Sequence, residues 1–184
     1  MPNDVKGKRI AILVTDGFEQ IEMTAPRNAL EDAGAITTLI SPHAGEVQGW
    51  NHHDKGSKFR VDQELSSAHA KNYDALLLPG GVANPDQLRT IPEAVTFAKS
   101  FFAERKPVAA ICHGPWLLVE ADVVRGVKMT SWPSLKTDLT NAGALWVDSN
   151  VVVDRGLVTS RKPDDIPAFN QKIIEVFGRQ NPPA

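Results

Sequence analysis

Val108-Ala109-Ala110-Ile111-Cys112-His113-Gly114-Pro115 decides the fold of this chain. Four consecutive apolar residues read as a short strand buried on both faces, and Gly114-Pro115 turns the chain and starts a helix. A continuous apolar run, rather than alternation, is the pattern of a central strand in a parallel sheet covered on both sides. The chain's one cysteine stands at the strand-to-helix junction. A thiol there points over the open end of the sheet at a helix N-terminus, whose free N–H groups and dipole favour an anion. The position therefore predicts a stabilised thiolate, which is a nucleophile where a thiol is a poor one. A lone cysteine is more often a small buried hydrophobe. Three features argue otherwise here: Cys112 ends its strand, a histidine follows directly, and Gly-Pro permits the tight, strained turn that exposes a nucleophile.

Working outward, Ile10-Ala11-Ile12-Leu13-Val14 and Ala75-Leu76-Leu77-Leu78 repeat the buried-strand pattern, and Ile36-Thr37-Thr38-Leu39-Ile40 is a fourth candidate. Helices are predicted over Glu19–Ala33, ended by Gly34, and over Glu93–Glu104, between Pro92 and Pro107. Further helices are predicted over Pro115–Ala121, Ser134–Asn141 and Asp164–Phe177. Ala44–Glu64 is polar and glycine-containing and reads as a hairpin or excursion at the sheet edge. Val151–Thr159 reads as a hairpin turning at Asp154-Arg155-Gly156. Strand and helix alternate, which predicts an α/β domain with a mostly parallel sheet, and nothing divides residues 1–184 into two units.

Composition narrows the function classes. With 42% hydrophobic and 23% charged residues, the 184-residue chain is ordinary for a soluble globular protein. A net charge of −2 gives no reason to expect nucleic acid or an anionic membrane as partner. One cysteine cannot form an internal disulfide. The first apolar run has five residues, too short for a signal peptide or a membrane span, so a cytoplasmic location with a reduced thiol is expected.

Sites in open α/β sheets form beyond the C-terminal ends of the strands. Thr15-Asp16-Gly17-Phe18-Glu19, Pro79-Gly80-Gly81 and Cys112-His113 all follow buried strands and so share one rim. Glu19 could simply complement the dipole of the first helix. Placed beside Cys112 and kept protonated by burial, it would donate a hydrogen bond to the sulfur. Gly80 and Gly81 could be a turn needing positive φ, or could bring backbone N–H groups close to a developing oxyanion. They do not form a dinucleotide fingerprint, and there is no P-loop. His113 could be a loosely held base or a surface histidine at a helix start. His52-His53 sits in a polar stretch without a nearby cysteine and reads as a solvated pair rather than a metal site. No cofactor is called for.

These motifs resemble the signatures of the ThiJ/PfpI superfamily, and most closely its PfpI branch. Ala110–Pro115, Leu78-Pro79-Gly80-Gly81 and Asp16-Gly17-Phe18-Glu19 carry the resemblance, with support from Asn141–Ala144, Val151–Asp154 and Val158–Arg161. The resemblance implies a flavodoxin-like sheet sandwiched between helices, as in class I glutamine amidotransferases. It implies Cys112 as nucleophile, Glu19 as its buried protonated partner, and N–H groups of Gly81 and His113 as an oxyanion site. It also implies a homodimer, in some members a hexamer, with a neighbouring subunit supplying an acid to His113. Asp86 stands at that position, where the archetypal protease has the longer glutamate.

Two classes of function follow. As an enzyme, the protein would be a cysteine-dependent hydrolase acting on small carbonyl compounds, glycated adducts or peptides, with deglycase or glyoxalase chemistry favoured over broad proteolysis. As a non-enzyme, it would be a stress protein or chaperone-like factor that senses oxidants through Cys112.

Overall fold

The computed structural model describes residues 4–179. The outer ends of the expected domain, 1–3 and 180–184, lie outside the described residues. The chain begins with β1 (Arg9–Leu13), β2 (Phe18–Glu19) and α1 (Gln20–Asp32), followed by β3 (Ile36–Ser41), β4 (Glu46–Asn51), β5 (Asp54–Arg60) and β6 (Gln63–Glu64). Then come β7 (Ala75–Leu78), α2 (Ala83–Leu88), α3 (Pro92–Ala103), β8 (Val108–Ile111) and α4 (Pro115–Glu120). The last part holds β9 (Lys128–Met129), α5 (Lys136–Asn141), β10 (Leu145–Trp146), β11 (Val152–Asp154), β12 (Leu157–Ser160) and α6 (Ile166–Phe177).

Seven strands form the central sheet in the order β11-β12-β8-β7-β1-β3-β6. All pairings are parallel except β11 with β12. The alternation of side chains along each strand sorts the core into two layers. Ala11, Leu13, Leu76, Leu78, Val108 and Ala110 pack on the side of α3, α4 and α5, against Phe97, Phe101, Leu118 and Leu139. Ile10, Ile12, Leu77, Ala109, Ile111 and Val158 pack on the side of α1 and α6, against Met23, Leu30, Phe169 and Ile173. Coverage on both faces is why β1, β7 and β8 read as unbroken apolar runs. The flavodoxin-like sandwich expected from the sequence is the fold observed, and β8 lies inside the sheet between β7 and β12.

Arg155 (φ 52°) and Gly156 (φ 80°) make the left-handed two-residue turn between β11 and β12, at the place the sequence marked. Within Ala44–Glu64 the expected hairpin is present, but it does not sit on the main sheet. Only β6 joins the sheet edge; β4 and β5 form a hairpin that pairs with β2 in a separate three-stranded sheet. The short helix α2 and the parallel pair β9–β10 had no sequence signal. Among the described residues no helix is long and apolar enough to cross a membrane.

Phe169 is fully buried in the layer that docks α6 on the sheet. Phe169→Ala is expected to cost about 3–5 kcal/mol, read as a fall in melting temperature of roughly 10 °C. A fall of only a degree or two would show that α6 is not anchored there.

Candidate active site

Cys112 follows β8 with φ 61°, a left-handed conformation that a side-chain-bearing residue adopts only when its surroundings impose it. Its N–H donates to the Ser160 carbonyl (3.0 Å), and its own carbonyl accepts from the Trp132 N–H (2.9 Å). The Gly114 N–H closes the turn onto the Ile111 carbonyl (2.9 Å). Gly114 is required, because a Cβ there would lie 2.6 Å from the Leu78 carbonyl oxygen. The strained elbow expected at the cysteine is therefore present, and both backbone polar groups of Cys112 hold it.

The glycine turn after β7 is packed against this elbow. A Cβ on Gly80 would sit 2.5 Å from Glu22 Oε1 and 2.8 Å from Cys112 Cβ. Gly81 has φ +76°, and a Cβ there would meet the Gly17 carbonyl oxygen at 2.5 Å. Asn84, fully buried on α2, fixes the turn. Its Nδ2 donates to the carbonyls of Pro79 (3.1 Å) and Gly80 (3.0 Å), and its Oδ1 accepts from the Thr15 N–H (2.8 Å). Asn84 thus ties the end of β1 to the turn. Neither its type nor its place in the sequence signals this role, because the segments it joins are distant along the chain.

The acid beside the sulfur is Glu22, not Glu19. Glu22 lies one turn into α1, fully buried, and is close enough to share a hydrogen bond with Cys112. One carboxyl oxygen accepts from the Gly80 N–H (3.1 Å), while the other is buried without an aligned partner. Burial, and next the charge of Glu19, push the Glu22 carboxyl up to about 8, so it keeps its proton at neutral pH. Glu19 precedes α1 and turns the other way, accepting from the His52 N–H at the tip of the β4–β5 hairpin (3.1 and 3.3 Å). The signal that distinguishes the two acids was available. Glu22, Pro26 and Leu30 recur at four-residue spacing on the buried face of α1, which places an acid inside an apolar stripe.

Burial pushes the Cys112 thiol up, and a charged Glu22 would push it further, while N–H groups of His113 and Gly81 pull it down. This opposes the expectation of a thiol lowered by a helix end, since α4 is only six residues long and begins three positions later. Gly80 is also reassigned: its N–H is engaged by Glu22, while the N–H groups of Gly81 and His113 face the sulfur, that of Gly81 being shared with Glu22.

His113 Nδ1 lies 3.2 Å from the sulfur, a contact that the strained turn makes possible between sequence neighbours. Burial pushes His113 down to about 4, so the imidazole is neutral at pH 7. Trp132 stacks on it (5.9 Å between centroids, 22°) and Trp116 meets it edge-on (5.1 Å). Asp86 does not join this cluster within one chain. It is exposed on α2 and paired with Arg89 at 2.6 Å.

Cys112, His113, Glu22, Gly81 and Glu19 share a cleft of ≈ 570 Å³, walled by Trp50, Trp132 and Val82. His52 and His53 are exposed, but the hairpin tip that carries them overhangs the cleft, which their polar sequence context did not reveal. Among the described residues no group of three or more potential metal ligands converges.

The model of the DJ-1/PfpI family matches residues 8–176. The chain is 44% identical over 170 residues to "Putative cysteine protease YraA" of Bacillus subtilis, covering 92% of this chain and 98% of that protein. It is 45% identical to "Protein/nucleic acid deglycase 2" of Escherichia coli (93% and 98% covered) and 45% identical to "General stress protein 18" of Bacillus subtilis (93% and 98%). Among solved structures, Drosophila melanogaster DJ-1beta is 27% identical with a TM-score of 0.85, over 94% of this chain and 92% of that one.

Glu22 and His113 tilt stability in opposite directions with pH. Glu22 keeps its proton in the fold to about 8 but loses it near 4.5 when unfolded, so its contribution is full below 4.5 and is lost as pH rises to 8. His113 resists protonation in the fold, so its contribution is full above 6.5 and is lost as pH falls toward 4. Between pH 6.5 and 8 only the Glu22 effect remains, worth about 2 kcal/mol. Melting temperature is expected to fall by roughly 5 °C across that window and to be nearly flat in Glu22→Gln. Equal slopes in both proteins would show that Glu22 is not buried with its proton.

Proposed function

The chain belongs to the DJ-1/PfpI family, and from that premise and the site geometry we propose that it is a cysteine-dependent hydrolase that attacks carbonyl carbons of small aldehydes or glycation adducts. One observation carries the reading. The sulfur sits on a strained elbow with a protonatable acid, two backbone N–H donors and a neutral imidazole all turned toward it.

The Cys112–Glu22 pair holds one proton too many for attack. The rise to about 8 belongs to the Cys112–Glu22 pair as a whole; once the pair has lost that proton, the one that remains sits on Glu22 and the charge on sulfur. Sulfur then has the Glu22 O–H and the N–H groups of Gly81 and His113 as donors, whereas a Glu22 carboxylate would leave one oxygen buried and unaided. With Glu22 protonated, its repulsion of the thiolate vanishes. His113, neutral and 3.2 Å away, is placed to take the departing thiol proton. As the sulfur bonds to the carbonyl carbon, the π pair moves to oxygen, where the N–H groups of Gly81 and His113 stabilise it. The imidazolium returns its proton to that oxygen or, where the carbonyl is an amide's, to the amine as the C–N bond breaks and the C=O re-forms, leaving a thioester that water hydrolyses to the acid and the free thiol.

The cleft, overhung by the tip of the β4–β5 hairpin, has room for a small carbonyl compound or the adduct it forms on a side chain. Names among the relatives span protease, deglycase and stress protein, which supports a hydrolase linked to stress without choosing a substrate. A homodimer in which the partner subunit brings Asp86 to His113 is the peptidase form of the same proposal. A location in the cytoplasm, where the thiol stays reduced, belongs to it too.

Parallel assays of methylglyoxal, a glycated peptide and a fluorogenic peptide test the proposal. The protein is expected to turn over at least one, with the carbonyl substrates preferred, and Cys112→Ser is expected to abolish turnover. Persisting turnover in Cys112→Ser, or none on any substrate, would contradict it. Asp86→Ala is expected to reduce peptide hydrolysis at least tenfold while sparing methylglyoxal; equal rates would remove the shared triad.

A further inference from the structure

Glu19, displaced from the sulfur, occupies a different position of consequence. Its side chain is only 13% exposed, yet its carboxylate lines the same cleft as Cys112. Its hydrogen-bond partner among the described residues is the His52 main-chain N–H, which is neutral. The nearest side-chain nitrogen, His52 Nδ1, is 4.0 Å away on a mostly exposed imidazole. None of the residues lining the cleft is Lys or Arg. Glu22 holds its proton and His113 is neutral, so neither offsets the charge. The field of Glu19 reaches the reacting pair, because its charge is the second cause, after burial, that raises Glu22.

An uncompensated carboxylate in a partly enclosed, low-dielectric cleft repels a second negative charge more strongly than one in open water. Trp50 and Trp132 border the cleft and bring no positive charge to offset Glu19.

From the placement of Glu19 in a cleft without Lys or Arg, we infer that it acts as a charge filter, admitting neutral or cationic electrophiles to Cys112 and rejecting anionic ones. This deepens the carbonyl chemistry proposed above. The substrate carries no carboxylate or phosphate beside its reacting carbon. A neutral 2-oxoaldehyde or an adduct on a cationic amine fits, and a 2-oxoacid does not. Glu19 is a specificity residue that acts on the charge of the incoming group.

Methanethiosulfonate reagents test the filter without requiring turnover, because thiolate attack forms a disulfide and releases a sulfinate whatever the enzyme's natural substrate. Rates for a trimethylammonium reagent and a sulfonate reagent are measured at pH 7, where Glu22 still holds its proton, each normalised to the neutral methyl reagent. The cation-to-anion ratio is expected to be roughly tenfold larger in the native protein than in Glu19→Gln, and unchanged in Glu93→Gln, which removes an exposed acid on α3 outside the cleft. A ratio unaffected by Glu19→Gln overturns the inference. The native protein alone gives a second reading, since its ratio is expected to exceed that of a small free thiol such as N-acetylcysteine amide; equal ratios also overturn it. In turnover, kcat/KM is expected to favour methylglyoxal over glyoxylate, with the gap narrowing in Glu19→Gln. If the protein turns over neither compound, the carbonyl reading fails while the reagent ratio still decides the filter.

Discussion

Three backbone segments approach one another so closely around Cys112 that no side chain fits between them. The turn Gly80-Gly81, the start of β2 at Gly17-Phe18-Glu19, and the elbow Ile111–Gly114 meet at distances where even a Cβ would overlap an oxygen or nitrogen. This close packing forces the left-handed φ at Cys112 and brings the Gly81 and His113 N–H groups to the sulfur. It also buries Glu22 completely. The parallel sheet supplies the framework, since β1, β7 and β8 are adjacent strands whose ends all open on one rim.

The electrostatic behaviour follows from that burial. A carboxyl and a thiol in contact with no cation nearby cannot both ionise. Burial therefore holds a proton in the pair, and the chemistry depends on which atom gives it up. The diffuse charge of sulfur, faced by the N–H groups of Gly81 and His113 and, with the proton on Glu22, by its O–H, is the better-supported anion. Glu19 adds a negative charge at the mouth without touching the sulfur, so the two acids of the Glu19–Glu22 turn divide the work. One manages the proton and the other faces the incoming molecule.

The sheet and its rim were legible because buried parallel strands leave unbroken apolar runs, and because strand ends have a fixed relation to the site. Cys112, His113 and Gly81 were located on those grounds. The choice between Glu19 and Glu22 was missed by one helical turn. Position at the helix start pointed to Glu19, whereas the stripe Glu22-Pro26-Leu30 pointed inward. Asn84 was invisible because its role depends on bridging two segments distant in sequence. The β4–β5 hairpin was recognised as a hairpin, but its docking on β2, and hence over the cleft, rests on a two-residue pairing too short to leave a pattern. The direction of the thiol's shift was misjudged because burial, which sequence does not report, outweighs a short helix.

The central claim is that Glu22 keeps its proton and lends it to the sulfur as a hydrogen bond. Because Cys112 is the only cysteine in the chain, the ultraviolet absorbance of its thiolate can be titrated directly in the native protein, Glu22→Gln and Glu22→Leu. The account predicts that the thiol becomes harder to ionise as the donor is weakened and then removed, with the midpoint rising from native to Gln to Leu. A midpoint that falls when Glu22 is replaced would mean the acid acts as a repelling charge, and would contradict the account.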